Sequence, residues 1–207
     1  MDNPQNELQQ VMTTPEDFVN IQQVINPTRY KISYKSLFDV PADALVNTVN
    51  CVGVMGAGIA LEFKNRYPLM FAAYKVECSQ HKIRPGDCYP YYADGIYILN
   101  LAVKDDWRHW STLEWVEYSI KSLKLTLLEH DIKSVNLPLL GGKNGRRGPY
   151  GKVPGLTPPP DREELKQILH DELEPFANKF GIDITLCVPD DAPKKKEPDI
   201  TQFLEHE

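Results

Sequence analysis

The stretch that most constrains this 207-residue chain is Asn47-Thr48-Val49-Asn50-Cys51-Val52-Gly53-Val54-Met55-Gly56-Ala57-Gly58-Ile59-Ala60, which leaves an apolar strand, passes three glycines and enters a helix. Glycine lets a backbone approach a diphosphate closely, and the start of the following helix offers unpaired N–H donors and a positive dipole end. The spacing GxxGxG is not a Rossmann fingerprint, and without GKS or GKT after it the loop is not a Walker loop. A single such loop also fits a tight turn that merely tolerates glycine. A second loop, Leu140-Gly141-Gly142-Lys143-Asn144-Gly145, shifts the balance because it too follows an apolar strand. In a parallel sheet both loops lie beyond the carboxyl ends of strands, where open α/β sheets bind ligands. The two loops together predict an anionic, nucleotide-like ligand with its phosphates between them.

The rest of the chain supplies such a sheet. Short apolar runs at Tyr30 to Tyr34, Ala44 to Val49, Ile96 to Leu101, Ser134 to Leu140 and Ile182 to Val188 read as strands. Several are apolar at consecutive positions, as strands covered on both faces are. Helical patterns alternate with them: Gly58 to Tyr67, then Leu69 to Cys78 beyond Pro68. Another follows Ser111, where Ser111 and Glu114 read as a capping box and Leu113, Val116, Ile120, Leu123 and Leu127 share a face. The last runs from about Asp161 to Phe180, ends at Gly181, and buries Leu165, Ile168, Leu169, Leu173 and Phe176. This alternation predicts a largely parallel sheet with helices on both faces.

Residues 1–28 are polar and broken by proline, and read as a loosely ordered arm. Residues 29–189 form the domain, and residues 190–207 read as a charged, solvated tail. A formal charge of −6 argues against a general electrostatic grip on nucleic acid, so any such contact is local. The four cysteines show no CxxC spacing, which favours reduced thiols in a cytosol-like compartment. Cys78, His81 and Cys88 read more readily as structural residues than as metal ligands. The first ten residues have neither a basic nor an apolar signal region, and no apolar run is long enough to span a bilayer. A cytoplasmic protein without a membrane anchor is the expectation.

NTVNCVGVMGAGIALEFKNRYP followed by the second glycine loop resembles the macro domain, specifically its DarG-like branch of DNA ADP-ribosyl glycohydrolases. Arg84-Pro85-Gly86, Asn100-Leu101-Ala102-Val103-Lys104, Trp107-Arg108 and Leu113-Glu114 recur in that branch's order. The likeness covers about Tyr30 to Gly145. It implies a three-layer α/β/α sandwich around a central mixed, mostly parallel sheet. It also implies ADP-ribose as ligand, with no metal or redox cofactor. Asn47 and Asn50 would belong to the site, Asn50 near the distal ribose. Gly53, Val54, Met55, Gly56, Ala57, Gly58 and Ile59, with Leu140, Gly141, Gly142, Lys143, Asn144 and Gly145, would surround the diphosphate. In that branch a lysine at the position of Lys104 attacks the anomeric carbon. Thymidine ADP-ribosylated in single-stranded DNA is the implied substrate, and a cognate ADP-ribosyltransferase toxin the implied partner.

The match departs from the family pattern at several places. Tyr34-Lys35-Ser36-Leu37 lacks the usual adenine-reading aspartate, Ala57 replaces a loop lysine, and Lys143 stands where glycine is usual. Position 145 is glycine where related lysine-dependent hydrolases use an aspartate as general acid, leaving Asp105, Asp106 or water to serve. Lys104 is expected just past its strand, on the ligand side, as nucleophile or as a phosphate-pairing cation. Trp107, Arg108, His109 and Trp110 fit either a stacking surface for single-stranded bases or an anchor for the next helix. Lys143, Arg146, Arg147 and Lys152 form a candidate basic patch for DNA or for the ligand's phosphates. The proline-rich segment 146–160 reads as a lid or as an insertion without fixed conformation. Two other activities stay open: a non-catalytic module that sequesters ADP-ribose or a related nucleotide signal, and an ADP-ribose 1″-phosphate phosphatase.

Overall fold

The computed structural model describes residues 28–142 and 144–192. Nearly all of the arm, Lys143 and most of the tail lie outside the described residues. The strands are β1 (Tyr30–Ser33), β2 (Ala44–Asn50), β3 (Cys88–Ala93), β4 (Ile96–Lys104), β5 (Ser134–Pro138) and β6 (Asp183–Cys187). The helices are α1 (Gly58–Arg66), α2 (Pro68–Ser79), α3 (Leu113–Glu129) and α4 (Arg162–Phe180).

The strands form one six-stranded sheet in the order β1-β6-β5-β2-β4-β3. All neighbours are parallel except β3, which pairs antiparallel with β4. Side chains alternate across a strand, so each face has its own core. Val46, Leu99, Leu101 and Val103 pack with Val116, Ile120, Leu123 and Leu127 of α3 and with Leu165, Leu169 and Leu173 of α4. Leu45, Val49, Ile98 and Ala102 point the other way, against Phe63 of α1 and Met70, Tyr74 and Cys78 of α2. Each such apolar side chain contributes about 1.5–3 kcal/mol when fully buried. The result is the expected three-layer sandwich.

Several boundaries differ from the expectation, each for a local reason. Strand β3 is absent from the expected set because its Tyr-rich, Pro90-bearing run is only partly buried and sits at a sheet edge. A signal for it existed in the two-residue Asp94–Gly95 turn joining β3 to β4, a frequent hairpin sequence. Strand β4 continues three residues past Leu101, so Lys104 ends the strand and does not follow it. The capping box expected at Ser111 and Glu114 does not form, and the N-cap lies one residue later. Thr112 caps α3 by accepting from Trp115 N, while Ser111 Oγ donates to the Val103 carbonyl at 2.5 Å. Helix α4 has the box instead, between Asp161 and Glu164, and Gly181 closes it in the left-handed conformation.

Candidate active site

Five parallel strands, β1, β2, β4, β5 and β6, end at the same edge of the sheet, and the chain at or beyond the end of each contributes to one cavity of about 850 Å³. Its walls include Asn50 of β2, Val103 and Lys104 of β4, Leu139 after β5 and Val188 after β6. The volume lies in the range that accommodates a small ligand or cofactor.

The two residues expected at the chemistry are adjacent. Asn50 and Lys104 are cross-strand partners at the end of β2 and β4, next to a register irregularity after Val49. Asn50 is 6% exposed and its side chain shapes the first glycine loop. Oδ1 accepts from Val52 N at 3.1 Å and from Val54 N at 3.2 Å, and Nδ2 donates to the Val54 carbonyl at 2.6 Å. From below, the Tyr74 hydroxyl donates to the Asn50 carbonyl. The turn from strand to loop is therefore held by one asparagine from above and one tyrosine from beneath.

Lys104 is 9% exposed, and burial pushes its ammonium down from 10.5 to about 8. Its Nζ donates to the Arg147 carbonyl at 2.7 Å, and among the described residues no carboxylate pairs with it. Arg147 belongs to the proline-rich segment, which follows a fixed course along residues 108–114. Ser111 N donates to the Gly145 carbonyl, Tyr150 N to Arg108, Trp110 N to Gly151 and Leu113 N to Thr157. Glu114 Oε1 accepts from Thr157 N, which explains why this carboxylate is not in the α3 cap. Arg147, Gly148 and Pro149 line the cavity.

The two glycine loops meet. A Cβ on Gly58, which has a φ of +56°, would come within 2.3 Å of the Asn144 Nδ2. The positive φ favours glycine there, and a side chain would also displace the Asn144 amide from the start of α1. Val54, Gly56, Ala57, Gly58, Ile59, Gly141, Gly142, Asn144 and Gly145 all reach the cavity wall. Four other residues expected there do not: Asn47, Gly53, Met55 and Leu140. Met55 and Leu140 are core side chains, and Gly53 is buried against Lys75 and Cys78 of α2. Asn47 is fully buried within the sheet, donating to Asn100 Oδ1 at 2.8 Å, while Asn100 donates on to the Tyr89 carbonyl. Lys143 lies outside the described residues.

The acid candidates also need correction. Asp106 is locked to the Arg108 guanidinium, whose hydrogen bonds hold its carboxyl below the usual range. Neither Asp105 nor Asp106 lines the cavity; Glu62 and Asp190 do. Sequence reasoning missed both. Glu62 lies one turn into α1, at i+4 from Gly58, and the signal for it was that helical spacing. Asp190 follows β6 in a turn anchored to α4, where Asp191 pairs with Arg162 at 2.7 Å and with Lys166 at 3.1 Å. Ser36 also lines the cavity, its Oγ accepting from Phe38 N.

Of the expected basic patch, Arg146 is turned away and donates to the Pro159 carbonyl. Arg147 and Lys152 are exposed and, among the described residues, make no ion pair. Among the described residues no group of three or more His, Cys, Asp or Glu is arranged to hold a metal, and no helix is long and apolar enough to cross a membrane.

Comparison with known proteins agrees with this geometry. The family model described as Macro domain matches residues 46–147. A Thermus aquaticus protein named DNA ADP-ribosyl glycohydrolase is 36% identical over 163 residues, 77% of this chain and 41% of that protein. The chain thus spans about two fifths of that relative's length. Among solved structures, the macrodomain of Mycobacterium tuberculosis DarG matches with a TM-score of 0.64 and 33% identity, covering 76% of this chain and 96% of that one. The macrodomain of Thermus aquaticus DarG matches with the same score and identity, over 76% of this chain and 97% of that one.

Proposed function

The chain belongs to the macro domain family, and from that premise we propose that it is an ADP-ribosyl glycohydrolase that frees ADP-ribose from thymidine in single-stranded DNA. The observation that carries this reading is Lys104. Its amine is buried at a strand end between two loops suited to a diphosphate, with a lowered pKa and, among the described residues, no carboxylate to hold it charged. A lysine that only paired with phosphates would gain from remaining fully protonated.

In this reading the loops from Val54 to Ile59 and from Gly141 to Gly145 bind the diphosphate through backbone N–H groups and the start of α1. Asn50 holds the first loop beside the distal ribose. The neutral Lys104 amine attacks the anomeric carbon, the glycosidic bond breaks, and its electron pair leaves with the base. The base takes a proton from water, since Asp106 is held by Arg108 and Glu62 at the wall is held by Arg66. Water then hydrolyses the lysine adduct, releasing ADP-ribose and restoring the amine. The name of the Thermus relative, DNA ADP-ribosyl glycohydrolase, supports DNA as the modified molecule. A cognate ADP-ribosyltransferase that makes the modification is the partner this substrate requires.

The test is incubation of single-stranded DNA carrying ADP-ribosylated thymidine with the protein and with Lys104→Ala, following free ADP-ribose by chromatography. Release by the wild type alone supports the hydrolase. ADP-ribose binding by calorimetry with no release would point to a sequestering module. Phosphate released from ADP-ribose 1″-phosphate independently of Lys104 would point to a phosphatase.

A further inference from the structure

We propose that Trp107, Arg108 and Tyr150 form a stacking platform for an unpaired nucleobase next to the modified one, so that the site recognises single-stranded DNA and not only its ADP-ribosyl group. This rests on the reading of the cavity as a DNA ADP-ribosyl glycohydrolase site.

Three side chains from two segments make the platform. Trp107 is three residues beyond Lys104, lines the cavity and is nonetheless 47% exposed. Tyr150, from the proline-rich strap, is 61% exposed and lies outside the cavity lining. The Arg108 guanidinium sits between them, 5.8 Å from the Trp107 ring and 5.6 Å from the Tyr150 ring. His109 is tilted against Tyr150, with ring centroids 5.4 Å apart and an interplanar angle of 56°.

The arrangement is held in place without any help from a ligand. Asp106 grips the Arg108 guanidinium through two nitrogens, and Tyr150 N bonds to the Arg108 carbonyl at 3.0 Å. Single exposed aromatic rings are ordinary on a fold, as at Tyr92 and Tyr118, but two grouped around one guanidinium form a patch that calls for a use. Beside the cavity they have one. If the ADP-ribosyl group fills the cavity, the nucleic acid to which it is joined must leave past Trp107. Flat rings interleaved with a guanidinium hold bases of any sequence by stacking and cation–π attraction. The exposed Arg147 and Lys152, on the same strap and unpaired among the described residues, supply positive charge for the neighbouring phosphates. That local charge matters in a chain whose formal charge is −6. A duplex keeps its bases stacked on each other and offers the platform nothing.

The experiment compares kcat/KM on ADP-ribosylated thymidine monophosphate and on a short single-stranded oligonucleotide carrying the same modification. The wild type should prefer the oligonucleotide. Tyr150→Ala, which keeps the backbone bonds of the strap, should lose about tenfold or more on the oligonucleotide, with the mononucleotide unchanged and Tyr150→Phe close to wild type. Equal losses on both substrates, or no loss on either, would overturn the platform while leaving the hydrolase intact. If the wild type releases ADP-ribose from neither substrate, the hydrolase reading fails and the platform is judged by binding alone. Anisotropy of a labelled, unmodified oligonucleotide then decides, with weaker binding by Tyr150→Ala in its favour and equal binding against it. A loss of equal size on an ADP-ribosylated peptide would also overturn it, because the recognised group would not be a base.

Discussion

Lys104 Nζ and the carbonyl oxygen of Arg147 lie 2.7 Å apart, joining the end of β4 to a strap 43 residues further along the chain. A carbonyl accepts from an amine in either protonation state. It therefore fixes where the amine points without holding it charged, as a carboxylate would. With one N–H committed to the strap, the lone pair of the neutral amine is confined to the two remaining tetrahedral directions, a restriction that a free lysine amine lacks.

The first prediction concerns pH. Burial lowers the pKa of Lys104 to about 8 in the free protein, so the amine is mostly charged below that value and mostly neutral above it. Because the neutral form is the nucleophile, kcat/KM should rise about tenfold per pH unit from 6 to 7.5 and level off above 8, since this ratio reports the free enzyme. Bound diphosphate favours the charged amine, so the kcat profile should have its midpoint at higher pH. Lys104→Arg should be inactive at every pH in the series. An activity independent of pH between 6 and 9 would remove Lys104 from the chemistry.

The second prediction concerns the strap. At Gly148 an added Cβ would come within 2.2 Å of the Arg108 carbonyl oxygen and 2.5 Å of its carbon, backbone atoms that cannot move aside cheaply. Gly148→Ala should push the strap off residues 108–110 and carry the neighbouring Arg147 carbonyl away from Lys104. We expect kcat to fall about 10- to 100-fold, because small misplacements of a reacting group have effects of that order. ADP-ribose affinity, set mainly by the two glycine loops, should change less than fivefold, as calorimetry would show. Equal loss of affinity and turnover would mean that the strap supports the cavity as a whole.

How far these features can be read from sequence depends on the range of the interactions behind them. The parallel strands β2, β4 and β5 are buried on both faces, so their apolar runs announce them, and α4 carries its own caps at Asp161 and Gly181. Lys104 is legible on the ligand side because it lies at the carboxyl end of an apolar strand, whereas the place of Asn50 in the site comes from the family resemblance and its pairing with Lys104 from the structure. Other features depend on partners distant in the chain. Ser111 looks like a helix cap, yet it is taken up by Val103, and Glu114 by Thr157. Asn47 looks like a ligand contact but spends its amide on Asn100 in the adjacent strand. Asp106 looks available as an acid until Arg108 folds back onto it. Local patterns cannot reveal which of several polar neighbours a side chain will choose.

The third prediction follows from the three hydrogen bonds by which Asn50 holds residues 52–54. Asn50→Ala removes all three, at about 0.5–1.5 kcal/mol each. The first glycine loop should loosen, and ADP-ribose affinity should fall about 10- to 100-fold by calorimetry. Asn50→Asp retains both bonds from Val52 and Val54 but loses the donor to the Val54 carbonyl and adds a negative charge beside the diphosphate. It should therefore bind no better than the alanine variant, and its deficit should shrink at high salt, where charge is screened.

The last prediction separates the support beneath the loop from the loop itself. Tyr74 is fully buried in α2, and its hydroxyl donates to the Asn50 carbonyl and also contacts Asn50 Oδ1 at 3.4 Å. Its phenol pKa is raised by burial, so it stays a neutral donor throughout the working range. Tyr74→Phe preserves the ring and its packing but leaves the carbonyl without this donor in a place water cannot easily reach. The cost should be about 1–3 kcal/mol, seen as a melting temperature lower by roughly 2–10 °C. Because Asn50 retains its own bonds to residues 52–54, ADP-ribose affinity should fall less than in Asn50→Ala, and saturating ADP-ribose should restore much of the lost melting temperature. If the melting temperature is unchanged but affinity collapses, Tyr74 acts on the ligand and not on the strand end.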